Sequence, residues 1–186
     1  LNEQEKNNAV YFGPFVTLGK TEFSNSQNSN IQKWKAYING KVHRQDFLYT
    51  ALDWVSRSKE ISIRDYMTGH RRETNINELK NYFNSVIDWA SSVFSDVESE
   101  MCGLEWGRLY ETYKKQPYSP QEVSKKVKTL YADPYVKNRK GIFEYILGGS
   151  TDTKLLEVRI FDEATKKSVY AIQTAEAEKK NISNCS

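Results

Sequence analysis

Cysteine is nearly missing from this chain: Cys102 and Cys185 are the only two in 186 residues, and they stand far apart. That argues against a disulfide framework and makes a reducing cytoplasm the expected compartment. Long apolar runs are missing too. None approaches the roughly 20 residues of a bilayer-spanning helix, and Leu1–Glu5 has none of the apolar character of a secretory leader. Histidine is confined to His43 and His70, each beside arginine and neither in a Glu-x-x-His arrangement. A zinc site takes about four ligands, so two His and two Cys scattered along the chain form no site signature. Gly103 and Gly107 are badly spaced for a phosphate loop, and Gly148-Gly149 is not followed by Lys-Ser/Thr. Serine is common, but none is marked by a partnering base, so no nucleophile stands out. A free-standing enzyme is therefore the weakest class.

Large rings are what the sequence has instead. Only 38% of residues are hydrophobic and the mean hydropathy is -0.73, yet 12 Tyr, 8 Phe and 4 Trp make the chain 13% aromatic. Disordered chains are poor in aromatics, so a folded core built on a few rings is expected. The net charge of +3 demands no polyanionic partner, but its distribution is uneven. From Asp88 to Glu111 there are six acids (Asp88, Asp96, Glu98, Glu100, Glu105, Glu111) against Arg108 alone. From Lys114 to Lys140 there are eight bases (Lys114, Lys115, Lys125, Lys126, Lys128, Lys137, Arg139, Lys140) against Glu122 and Asp133. The swing from -5 to +6 suits either phosphate contact or a solvated helix face lying near the acidic block.

The pattern is mainly α: a multi-helix bundle with at most a short β element near 154–161. Ser24–Asn30 is a loop by composition. Helices are expected near 31–38, ending at Asn39-Gly40, and over 44–55, with Phe47, Leu48, Ala51, Leu52 and Val55 as one stripe widened by Trp54. A short helix over 63–67 is ended by Gly69. The strongest follows, capped by Asn75 with Glu78 three residues on, its apolar face running from Leu79 to Phe94. Trp106, Leu109, Tyr110 and Tyr113 repeat at helical spacing. Ser119-Pro120-Gln121-Glu122 reads as a capping box ahead of a stripe of Val123, Val127, Leu130 and Tyr131. Lys125, Lys126 and Lys128 project away from much of that stripe, and Asp133-Pro134 ends the helix. A short apolar segment spans 141–147. Residues 154–161 alternate enough for an edge strand, and a polar helix over about 163–180 has only Val169, Ile172 and several Ala as its apolar face. This divides the chain into a helical domain, 1–150, and an edge strand plus connector helix, 151–186.

Three acids neighbour tryptophans (Asp53-Trp54, Asp88-Trp89, Glu105-Trp106). Paired carboxylates can do acid–base work, but acids flanking a buried Trp more often mark the wet edge of an amphipathic helix. His43-Arg44 and His70-Arg71-Arg72 suit phosphate contact, a seam against a partner domain, or a surface charge cluster. Cys185, after the connector, is either a free thiol or the first ligand of a Cys-x-x-Cys knuckle.

The stretch Glu5-Lys6-Asn7-Asn8-Ala9-Val10-Tyr11-Phe12-Gly13-Pro14-Phe15 resembles the Glu-x-x-Asn-Ala-x-x-x-Gly-x-Phe segment of the domain family found in GmrSD-type restriction proteins. The likeness continues through Arg44-Gln45-Asp46, Ala51–Trp54, Tyr66–Arg71, Gly103–Tyr110, Lys140–Leu147 and Leu156–Phe161. The resemblance implies that this stretch is the family's helical middle. A ParB/sulfiredoxin-like part with the nucleotide motif Asp-Gly-Gln-Gln-Arg would lie upstream, and an HNH nuclease downstream. The chain opens on Leu1 and stops at Ser186, and is expected to be a piece of such a protein. The whole would use a nucleotide and a divalent metal; this stretch would carry no cofactor and no catalytic residue. Cys185 alone is matched to a family metal ligand. The expected partners are the missing flanking domains and DNA, the latter through Lys125, Lys126, Lys128, Lys137, Arg139 and Lys140. The competing reading is a helical protein-interaction scaffold with exposed Tyr and Trp as anchors.

Overall fold

The computed structural model describes residues 13–25, 27–41, 45–158 and 163–179, without the side chains of 163–166 and 178–179. Among these the protein is helical and has no strand. The helices are α1 (Pro14–Phe23), α2 (Ile31–Lys35), α3 (Asp46–Ser58), α4 (Ile63–His70), α5 (Asn77–Val93), α6 (Trp106–Tyr113), α7 (Pro120–Ala132), α8 (Gly141–Leu147) and α9 (Glu163–Lys179). Two 3-10 turns, Ser99–Met101 and Thr153–Leu156, complete it. No described helix is long and apolar enough to cross a membrane.

The two longest stripes meet at the centre. Helix α3 turns Phe47, Leu48, Ala51, Leu52, Trp54 and Val55 inward, and α5 answers with Leu79, Phe83, Val86, Ile87, Ala90 and Val93, all buried. Such i, i+3/i+4 stripes put one face of each helix in the core. Around Phe83 the rings pack closely. Trp34 and Phe23 meet it edge-on at 5.1 Å, and Trp54 stacks on it at 5.4 Å. Helix α6 crosses both central helices. Gly107 allows this, because a Cβ there would lie 2.6 Å from Cγ of Trp54.

A second ring cluster surrounds the fully buried Trp106, with Tyr37, Phe94 and Phe143 at 5.7, 5.9 and 6.4 Å. Its indole N–H donates to the Met101 carbonyl at 2.8 Å, which satisfies the one polar atom of the ring. This cluster ties the central helices to α7 and α8.

Several ends differ from expectation. The first turn of α5 starts at Asn77, because the Asn75 side chain takes up the Asn77 N–H in a local turn at 3.1 Å. Helix α4 runs one residue past Gly69. The capping box at Ser119 does not form: its hydroxyl turns to the Gln121 side chain at 3.3 Å, while Pro120 still opens the helix. The described part of 154–161 is no strand. Residues 153–156 coil into a 3-10 turn, and Glu157 closes it at φ 47. Alternation was the wrong cue there, because Leu156 alone is drawn into the core while its carbonyl accepts from Lys137 and Asn138 backbone N–H groups at 3.2 and 3.1 Å. Residues 159–161 lie outside the described part. Helix α9 leaves Val169, Tyr170 and Ile172 exposed, as its thin apolar face predicts.

Candidate nucleic-acid interface

Helix α7 sorts the basic segment. Successive residues rotate by about 100°, and Val123 and Val127 fix the buried direction. One flank carries Ser124, Lys128 and Tyr131, the other Glu122, Lys126, Thr129 and Leu130, with Lys125 facing outward between them.

The first flank meets the acidic segment. Ser124 Oγ donates to Asp96 Oδ2 at 2.6 Å, and Lys128 Nζ lies 3.2 Å from the same oxygen. The Ser124 hydrogen bond, then Lys128, holds the Asp96 carboxyl below its ordinary value. One turn on, the Tyr131 hydroxyl donates to Glu100 Oε2 at 2.9 Å, and Arg139 sits over the Tyr131 ring at 5.2 Å. The Glu100 carboxyl is lowered by Ser99 first, then by Tyr131 and by the charge of Arg139. Burial and the Glu100 hydrogen bond push the Tyr131 phenol up. Lys128 therefore faces a carboxylate, and Arg139 packs over an aromatic ring.

The second flank borders a groove. It opens between α7 and the end of α8, measures about 520 Å³, and is lined by Leu130 and Tyr145 with Lys125, Lys126, Thr129, Ser150 and Glu122 around them. The wall at 148–150 is set by backbone geometry. Gly149 (φ 75) and Ser150 (φ 62) are both left-handed, and the Ser150 N–H donates to the Tyr145 carbonyl at 2.8 Å. This holds Ser150 Oγ 3.5 Å from Lys126 Nζ. Lys125 and Lys126 are exposed and form no ion pair among the described residues; the same holds for Lys137 and Lys140 on the α7–α8 connection and at the start of α8. The six expected cations thus divide into four turned to solvent or the groove, Lys128 placed against Asp96, and Arg139 over the Tyr131 ring.

The other expected positions fall elsewhere. Asp53 pairs with Arg57 at 2.8 Å and Asp88 with Lys33 at 2.5 Å, each on a helix edge. Glu105 shares Arg108 with Glu144, whose carboxyl is lowered by the two-pronged guanidinium contact at 2.7 and 2.8 Å. His70 is structural in its surroundings. Its ring stacks on Phe15 at 5.4 Å and lies 4.2 Å from Tyr66, with Nδ1 2.9 Å from Glu73 Oε1. Cys185, His43, Arg44 and residues 5–12 lie outside the described part. Among the described residues no three of His, Cys, Asp and Glu are placed to hold a metal ion. The groove itself was missed by sequence reasoning. Its signals were present in Gly148-Gly149-Ser150 and in the spacing of Leu130 from Lys126, but neither shows that the end of α8 comes beside α7.

Compared with family models, curated proteins and solved structures, the chain matches none.

Proposed function

We propose that this chain is the helical middle region of a restriction-type endonuclease of the GmrSD kind, joining a nucleotide-sensing part to an HNH nuclease and touching the DNA backbone with the outer face of α7 and the start of α8. The sequence resemblance supports the setting. The observation that carries the DNA contact is the division of charge on α7: Lys125 and Lys126 border a groove and form no ion pair among the described residues, while Lys128 pairs with Asp96. Lys137 and Lys140 extend the free set. Cations without carboxylate partners attract phosphates and release counterions when they bind them.

The test is anisotropy of a labelled duplex titrated with the whole chain at several salt concentrations. Four engaged cations predict a slope of log K against log salt between about -3 and -4, or roughly a hundredfold loss from about 50 to 200 mM. No binding at about 50 mM salt, or a slope flatter than about -1, contradicts the proposal.

A second reading, a protein-interaction scaffold, is favoured by α9, where Val169, Tyr170 and Ile172 are exposed. Light scattering across concentration tests it: self-association lost on Tyr170→Glu supports it, and a monomer throughout removes the self-association form of it.

A further inference from the structure

The groove beside α7 is more than a patch of charge. Its floor is apolar, formed by Leu130 and Tyr145, and its volume of about 520 Å³ is far more than a phosphate group fills. It falls in the size range of small-molecule sites, which combine apolar walls with a few placed polar groups. A duplex keeps its bases stacked and would offer this groove only phosphates at the rim, leaving the floor without an occupant. An unstacked nucleotide supplies both parts.

We infer that the groove binds a single nucleoside phosphate unit, its phosphate by Lys126, Ser150 and Lys125 and its base against Tyr145 and Leu130. The polar groups are disposed for this. Lys126 and Ser150 face each other at 3.5 Å across one end. Glu122 lies a turn further toward the start of α7 and lines the same groove. A carboxylate there repels a phosphate and turns it toward Ser150, and the Leu130 floor that takes the base lies a turn beyond Lys126 on the other side. Aromatic faces take any base by stacking, while cations beside them follow the backbone. A phosphotyrosine side chain shares the ring and the phosphate but lacks the sugar, so it fills less of the about 520 Å³ than a nucleotide does.

A free mononucleotide and a nucleotide within a single strand carry the same chemistry. The second source rests on the proposed nucleic-acid role; the first does not. The experiment measures binding of four probes to the whole chain: adenosine monophosphate, a short single-stranded oligo-dA, the same sequence as a duplex, and phosphotyrosine. Thr129 is exposed on α7, so Thr129→Tyr fills the groove and leaves every lysine in place. Tyr145→Ala removes the floor. The expected result is adenosine monophosphate or oligo-dA binding that falls about tenfold or more in both variants, with duplex binding within about twofold of wild type. Nucleotide binding with no duplex or oligo-dA binding supports the groove and defeats the DNA-contact role. Duplex binding with neither nucleotide probe affected by Thr129→Tyr overturns the groove and leaves that role standing. Tighter binding of phosphotyrosine than of adenosine monophosphate also overturns it. Tyr145→Ala is read only if its circular dichroism and melting match wild type; Thr129→Tyr decides otherwise.

Discussion

Replacing Gly141 with alanine should detach the turn that backs α8. A Cβ at Gly141 would fall on the Leu155 carbonyl oxygen and lie 2.7 Å from its carbon. Both atoms are backbone, so no rotamer change relieves the clash and the Thr153–Leu156 turn must move away. That turn is held by three hydrogen bonds. Lys137 and Asn138 N–H groups reach the Leu156 carbonyl at 3.2 and 3.1 Å, and Asn138 Nδ2 reaches that of Leu155 at 3.0 Å. Losing them costs roughly 1 kcal/mol each, and unseating the 3%-exposed Leu156 side chain adds about 2 kcal/mol. The gain in helix propensity from Gly to Ala returns at most about 1 kcal/mol, and less in a first turn. The net loss is about 3–5 kcal/mol, or a melting temperature lower by roughly 10 °C or more for a chain of this size. Urea melts followed by circular dichroism measure it. Leu156→Ala acts on the same turn, so the double variant should fall well short of the sum of the two single losses. A Gly141→Ala stability within about 0.5 kcal/mol of wild type, or strict additivity, would refute the reasoning.

Gly107→Ala should destabilise by about 1–3 kcal/mol, because the new methyl meets the Trp54 ring, itself locked against Phe83; a neutral or stabilising result in the same melts would show that α6 can move off α3. Trp106→Phe strips the buried N–H from the Met101 carbonyl and should cost about 2–4 kcal/mol with the void left behind, read as a lower urea midpoint. The depressed Glu144 carboxyl gives a pH signature. A lowered folded pKa contributes stability above the unfolded value of about 4.5, and that contribution is lost as pH falls through the lower folded value. Wild type should therefore exceed Glu144→Gln in stability by at most about 1 kcal/mol near pH 7 and converge on it below pH 4; a constant gap would contradict the pairing with Arg108.

The central bundle was legible because its stripes are long. The face from Phe47 to Val55 and that from Leu79 to Val93 repeat often enough that the side turned inward has no rival, and both are buried. The aromatic core followed from composition, and Trp106 is fully buried as its spacing with Leu109 implied. Trp34 was not singled out, since a five-residue helix gives too short a pattern to rank one ring above its neighbours. The strand expected from 154 failed because a few alternating residues fit a coiled turn as well as an extended one, and the hydrogen bonds that decide between them come from residues 137 and 138. The basic segment was visible as a run of charge. Its division into a cation against Asp96, one over the Tyr131 ring and others beside a groove depends on what α7 packs between, which the run alone does not contain.

That division is tested most directly by comparing two paired neutralisations in the salt dependence of duplex binding. Lys125→Gln/Lys126→Gln should flatten the slope by about 2, one unit for each phosphate contact removed. Lys128→Gln with Arg139→Gln removes the same formal charge from groups already placed against Asp96 and Tyr131, and should change the slope by less than about 0.5. Equal flattening by the two pairs, or none by the first, would contradict the account of α7 as a nucleic-acid face.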